Sequence, residues 1–449
     1  MTTHDHPPHD PTTNVRARGG DEERGALRGR FRSVRDFTEA LAAPLRPEDQ
    51  VVQSMPDVSP TKWHRGHTTW FFETFLLEPQ LTGYDIFDLD YRYLFNSYYE
   101  TVGPRHPRNE RGLVSRPNVE EVGCYRAHVD AAMEKLIDCY DNEWLDFAAL
   151  VELGLHHEQQ HQELLLMDIK HVLSCNPLEP AYIETSPPVE HTAQPMRFVD
   201  SDGGLIEAGH WGSNFAFDNE SPRHKVYLEP FRIADRLVTA GEWMEFIADG
   251  AYRQPELWLS DGWHTVQEHG WNAPAYWHCD DNDGWSTFTL NGRRAIHPDE
   301  PVVHVSHYEA DAFARWAGAR LPTEFEWEHA VSCRDPHDVG LAARPSADLI
   351  ESATSGARLQ PAAAPAGPGL RQAFGDVWQW TASSYLPYPR FAPAPGAVGE
   401  YNGKFMSGQM VLRGSACITP AGHARATYRN FFPPSSRWMF AGLRLASDT

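Results

Sequence analysis

A chain of 449 residues, 41% of them hydrophobic, can build a sizeable core and more than one domain. Its 39 Lys and Arg against 62 Asp and Glu give a net charge of −23 without a basic stripe, which argues against nucleic acid as a partner and bears on solubility rather than fold. Six cysteines (Cys124, Cys139, Cys175, Cys279, Cys333, Cys417) show neither a CxxC pair nor regular spacing, so no disulfide framework or zinc ribbon is expected.

Residues 1–29 read as a disordered tail. Pro, Asp and Thr around the HDHPPH histidines cannot bury enough surface to fold, so these histidines are not read as a metal site. No apolar stretch opens the chain, so no signal peptide is expected. Apolar runs such as Trp70–Phe72 and Leu164–Met167 are too short to span a bilayer, and a cytoplasmic protein without a membrane partner is the expectation.

Residues 30–175 read as helical. Val34, Phe37, Leu41 and Leu45 recur at helical intervals. Ser59-Pro60 resembles an N-cap followed by proline at the first helical position, opening a helix to about Leu77. A third stripe runs through Tyr125, Val129, Met133, Leu136 and Tyr140, and the longest helical signal is Trp144–Leu173. Four such helices predict a bundle, with 83–118 as an ordered loop beside it. Residues 176–195 carry Pro177, Pro180, Pro187, Pro188 and Pro195 without periodicity and read as a linker. Residues 196–449, with short apolar runs, many Gly and Trp, and helices at Ala240–Ile247 and His307–Ala317, predict an irregular α+β domain.

The chemistry concentrates in His156-His157-Glu158-Gln159-Gln160-His161. His157 and His161, at i and i+4, share a helix face and can reach one ion, whereas His156 points about 100° away. The same residues spell HExxH, a zinc-protease signature with Glu158 as base, but the downstream Gln-Glu-Leu-Leu-Leu-Met lacks its extension. His67 shares a face with Trp63, Trp70 and Phe71, where a histidine is commonly a core residue. Two histidines on a facing helix make it a third ligand, with His64 behind it or at the surface. Three neutral imidazoles suit Zn, Cu, Fe or Ni alike.

Ser59-Pro60-x-x-Trp63-x-x-x-His67 followed by His157-Glu-Gln-Gln-His161 resembles the DinB-type bundle of ergothioneine sulfoxide synthases. Asn219-Glu-Ser-Pro-Arg-His-Lys-Val, Arg320-Leu-Pro-Thr-Glu-Phe-Glu-Trp-Glu, Gly375-Asp-Val-Trp-Gln-Trp-Thr, Arg413-Gly-Ser and Gly442-Leu-Arg-Leu resemble the formylglycine-generating-enzyme (sulfatase-modifying factor) fold. The fold implied is α + (α+β): a DinB-like four-helix bundle followed by an irregular, C-type-lectin-like α+β domain. Formylglycine-generating enzymes carry a cysteine pair near Arg-Gly-Ser. Here Cys417 has Gly422 and His423 where the partner is expected, so Cys417 reads as buried packing.

The resemblance implies an Fe(2+) held by His67, His157 and His161, with O2, hercynine and a cysteine-type thiol as substrates of a C–S bond-forming sulfoxide synthase. By the same resemblance Gln160 contacts the hercynine imidazole, and Asn430 with Phe431 its trimethylammonium group. Tyr98 and Tyr99 are the proton or electron donors, with Tyr385 and Tyr388 as C-terminal alternatives. Arg105 and Arg108 are the expected carboxylate grip. Phe432-Pro433-Pro434, where the γ-glutamylcysteine-using branch has an acidic residue, favours the cysteine-using branch. A seleno-sugar-using selenoneine synthase and a DinB-type metal-dependent thiol transferase are the alternative activities, and no oligomeric state follows.

Overall fold

Four long helices build the amino-terminal half in the computed structural model, which describes residues 20–184, 192–280, 284–333 and 359–449. Helix α1 (Asp21–Ala42) begins inside the stretch expected to be tail. Its early turns are tied down because Leu27 is buried and the Arg24 guanidinium donates to the carbonyls of Ile137 (3.0 Å) and Tyr140 (2.6 Å). The HDHPPH histidines lie outside the described residues.

Helix α2 (Thr61–Phe72) continues through a π-helical turn, Glu73–Leu77, and a short turn, Glu78–Gln80. Ser59 does not cap it. The Ser59 backbone N–H donates to Asp168 (2.8 Å), its hydroxyl accepts from Arg111 (2.9 Å), and Pro60 takes the cap position. All twelve residues of α2 are buried, so each polar side chain on it needs an internal partner.

Helix α3 (Val119–Cys139) starts at a reciprocal cap between Asn118 and Glu121. Helix α4 (Trp144–Ser174) crosses α2 at Gly154, where a side-chain carbon would collide with the rings of Phe71 and Phe72. The first half of α4 packs in the bundle core with Phe72 and Tyr125. The second half, Leu165–Leu173, joins a core with Trp378, Leu412 and Trp438. Packing therefore runs straight across the junction expected at residue 175. Part of the expected linker is anchored too: the Tyr182 hydroxyl donates to the Leu41 carbonyl at 2.6 Å, while 185–191 lie outside the described residues.

The carboxy-terminal half mixes short strands and helices. Strands β1 (Phe198–Ser201), β4 (Phe231–Ala234) and β12 (Ala446–Asp448) form one antiparallel sheet in the order β1-β4-β12. β2 (Gly204–Ala208) and β3 (His224–Leu228) form a hairpin, and β5 (Trp277–Asp280), β6 (Gly284–Thr289) and β7 (Gly292–Ala295) a meander. The fourth sheet orders β10 (Asn430–Phe432), β9 (Met410–Gly414), β8 (Trp378–Ser384) and β11 (Ala441–Leu443), with only the β11–β8 pair parallel. Helices α5 (Ala240–Ala248) and α7 (His307–Trp316) match the expectation. Helices α6 (Ser260–His269) and α8 (Glu324–Ser332) were not foreseen, although Thr323 with Glu326 makes a readable capping box for α8. No helix among the described residues is long and apolar enough to cross a membrane.

Candidate metal centre and substrate cavity

The close α2–α4 crossing brings His67 to His157 and His161, whose ligand atoms all lie within 4.8 Å of one another. Among the described residues this is the only such cluster of three. The Nε2 atoms of His67 and His157 are 3.1 Å apart. His67 Nδ1 donates to the Phe95 carbonyl at 2.6 Å, which directs its Nε2 lone pair inward. That bond depends on Gly66, because any side-chain carbon there would strike the Phe95 ring. Trp63 stacks on the His67 ring at 4.7 Å and 12°, Trp70 at 5.6 Å and 16°.

Burial drives the imidazoles of His67 and His161 well below their ordinary range, reinforced by the neighbouring imidazoles, and lowers His157 to about 4. All three are therefore neutral bases near pH 7. His157 Nδ1 is also buried without a hydrogen-bond partner. Neutral, convergent imidazoles fit a divalent transition-metal ion, iron(II) included. The surrounding histidines have other tasks. His64, expected behind the ligands or at the surface, is buried and lies beside His161, Nδ1 to Nδ1 at 2.9 Å. His156 faces away and stacks on Phe215 at 3.9 Å.

Glu158 points away from the cluster. It is fully buried between Arg35 of α1 and Arg126 of α3, each at 2.9 Å, and accepts from Thr38 at 2.6 Å. Against the cost of burial, the two guanidinium groups hold its carboxyl down at about 2. A carboxylate so engaged is not a base for a metal-bound water, and the HExxH reading fails on geometry.

A cavity of about 170 Å³ opens beside the three histidines, lined from both halves. Gln160 borders it and donates to the Tyr428 hydroxyl at 2.7 Å; Tyr428 is backed in turn by His423. Asn430 and Phe431 reach it from β10, and Phe431 joins Phe405, Tyr401 and Tyr98 in a run of ring contacts between 4.9 and 6.4 Å. The Tyr98 loop is clasped to this group: Lys404 donates to the Tyr98 carbonyl at 2.7 Å, and Glu400 accepts from the backbone N–H groups of Glu100 and Thr101. Tyr98 accepts from Arg108 at 2.6 Å. Tyr99 is buried against Trp70 at 5.5 Å and also lines the cavity.

Two expected contacts are corrected. Arg105 does not line the cavity; it pairs with Glu100 at 3.0 Å beside solvent. Its place is taken by Arg111, stacked on Trp63 at 3.3 Å, and burial lowers that guanidinium to about 9. Neither Arg108 nor Arg111 makes an ion pair with a described carboxylate, so both carry charge that an anion in the cavity can balance. Tyr388 is also removed from the cavity: it is buried against Arg413, which donates to its hydroxyl at 3.0 Å, and Glu324 at 3.4 Å. Tyr385 meets the site only indirectly, stacked on Phe431 at 4.1 Å.

Sequence reasoning missed Arg111, Tyr401, Phe405, Asp168 and Glu163. The Tyr401/Phe405 spacing of four was a usable signal, but Arg111 had none beyond its loop. Glu163 lines the cavity as a buried carboxyl pushed up to about 7 by burial, with Trp378 donating to it at 2.6 Å. Cys417 is buried as expected.

Residues 186–449, more than half of the chain, match the family model described as a sulfatase-modifying factor enzyme 1-like domain. The hercynine oxygenase of Mycolicibacterium thermoresistibile is 34% identical over 413 residues, 88% of each chain. The chain belongs to the hercynine oxygenase family. The hercynine oxygenase of Mycobacterium tuberculosis is 41% identical over 245 residues, 52% of this chain and 56% of the relative. The formylglycine-generating enzyme of Streptomyces coelicolor is 27% identical over 296 residues, 55% of this chain and 87% of that enzyme. Hercynine oxygenases are oxygenases, and so is this enzyme. In it the three-histidine cluster belongs to the helical half, which precedes the shared domain.

Proposed function

We propose that this hercynine oxygenase is an iron(II)-dependent sulfoxide synthase of ergothioneine biosynthesis that joins the imidazole C2 of hercynine to the sulfur of cysteine. The observation that carries the proposal is one cavity bordered by three neutral imidazoles, an aromatic cluster and two guanidinium groups that pair with no carboxylate among the described residues. His67, His157 and His161 hold the metal, which when bound supplies the O2 chemistry.

The chain's own residues then orient two substrates. Gln160, fixed by Tyr428, meets the hercynine imidazole beside the metal. The faces of Phe431, Phe405 and Tyr401 attract its quaternary ammonium, with Asn430 at the same edge. Arg108 and Arg111 grip the carboxylate of the thiol substrate, where charge-assisted bonds are strong because both are buried. Tyr98 delivers a proton from its hydroxyl, which Arg108 keeps oriented, and Tyr99 stands next to it. Phe432 and Pro433 line the cavity at the place where an acidic side chain would hold the γ-glutamyl amino group, which favours cysteine as the donor.

The deciding experiment is anaerobic Fe(II) reconstitution followed by O2 uptake with hercynine and cysteine, γ-glutamylcysteine or a seleno-sugar, with products identified by mass. A hercynine–cysteine sulfoxide adduct is expected. An adduct only with another donor reassigns the thiol. Absence of hercynine-dependent O2 uptake with every donor refutes the proposal.

A further inference from the structure

Along one wall of the cavity a polar chain runs from the metal-binding histidines to Asp168. Asp168, buried on α4 two turns beyond His161, accepts from three groups. The Ser59 backbone N–H reaches its Oδ2 at 2.8 Å, the Trp438 indole N–H reaches Oδ1 at 3.2 Å, and His64 Nε2 stands 3.0 Å from Oδ2. The first two partners can only donate, so the carboxylate faces them as an acceptor and takes the Nε2 proton of His64 as well. With Nε2–H directed at the carboxylate, the Nε2–H tautomer of His64 presents a bare Nδ1, which lies 2.9 Å from Nδ1 of His161. In that tautomer the proton between the two rings belongs to His161. Its remaining nitrogen, Nε2, is left with a free lone pair.

We propose that Asp168 and His64 are positioning residues that fix His161 as an Nε2 ligand, in a carboxylate–histidine–histidine relay to the metal. The inference rests on the three-histidine reading of the metal centre and adds to it the groups that set ligand polarity. His67 shows the same logic with a simpler partner, its Nδ1 donating to the Phe95 carbonyl at 2.6 Å. A partner behind the ring locks the tautomer, restrains rotation and makes the ligating nitrogen more basic. The relay also spans both halves. Ser59 immediately precedes the α2 segment that carries His67, and Trp438 belongs to the carboxy-terminal half, so docking of that half helps to orient a ligand on α4. The three links to Asp168 are buried and the His64–His161 link is partly buried, settings where hydrogen bonds are strong and misalignment is costly.

The test measures metal affinity of the full chain, by anaerobic titration with Fe(II) and with Co(II) followed through its visible spectrum. Asp168→Asn presents an amide N–H to donors, and His64→Leu removes the bridge. Both are expected to weaken metal binding by about 10- to 100-fold and to alter the Co(II) spectrum. His64→Gln is expected to restore near-parental affinity, since its amide accepts from His161 and donates to Asp168. Thermal unfolding of each metal-free variant checks that it is folded. If Asp168→Asn and His64→Leu bind within twofold of the parent with its spectrum while His161→Ala fails to bind, the relay is overturned and the metal site stands. Parental affinity in His161→Ala overturns the metal site itself.

Discussion

Glu158→Gln separates two meanings of the same five-residue pattern. In a zinc-protease reading the carboxyl is the catalytic base, and its amide destroys turnover without weakening the fold. In this structure the carboxylate bridges Arg35 and Arg126 out of contact with solvent, so its amide must weaken the bundle. Burial opposes the charge, but the two arginines win and lower the carboxyl from 4.5 to about 2, a difference of roughly 3 kcal/mol. Breaking a buried pair on one side costs about 3–5 kcal/mol. The loss should fall near the lower end, because Arg35 keeps Asp130 at 2.6 Å and Arg126 keeps Glu39 at 2.7 Å.

The sign with pH follows from the depressed value. The contribution is complete above the unfolded carboxyl's 4.5 and fades as pH falls toward about 2. Urea unfolding followed by tryptophan fluorescence should therefore show Glu158→Gln about 3 kcal/mol less stable at pH 7. The gap should narrow by roughly 1 kcal/mol at pH 4. Metal affinity of the folded variant should remain parental, since the carboxyl faces α1 and α3. A variant with parental stability that has lost turnover would refute this reasoning.

Three further outcomes are expected. Arg111→Leu should raise KM for cysteine about 10- to 100-fold, the value of a charge-assisted bond of about 1.5–3 kcal/mol, yet leave KM for hercynine unchanged; an equal KM for cysteine would remove Arg111 from the carboxylate grip. Tyr98→Phe, which takes away the hydroxyl held by Arg108, should divert turnover toward oxidised thiol, and an unchanged product ratio on mass analysis shifts the role to Tyr99. Phe431→Leu should weaken hercynine about 2- to 30-fold, from about 0.5–2 kcal/mol of cation–π attraction, with a smaller effect on histidine, which lacks the quaternary ammonium. Equal losses for both ligands by calorimetry would mean that Phe431 only packs.

Local patterns carried much of this molecule into view. Spacing by four paired His157 with His161, because helix geometry alone brings such side chains together. The four helical stripes and the shift to short apolar runs beyond residue 195 announced a bundle and an α+β half. His67 was also readable, since a histidine among Trp63, Trp70 and Phe71 had facing imidazoles to meet. These are properties of neighbours in sequence, or of one face of one helix.

The rest depended on contacts between distant segments, whose partners no local pattern names. Arg105 and Arg108 read alike as loop arginines; folding left Arg105 beside solvent with Glu100 and buried Arg111 on Trp63. Tyr388 lies three residues from Tyr385, yet the buried Arg413 and Glu324 drew it away from the cavity. Glu158 reads as a base within HExxH until Arg35 and Arg126 arrive from two other helices. That the two halves share a core was not legible, because the apolar face at the end of α4 is covered by Trp378, Leu412 and Trp438 from far along the chain. Helical periodicity is local and survives in the sequence; the sharing of buried charge and apolar surface between remote segments is settled only when the whole chain closes.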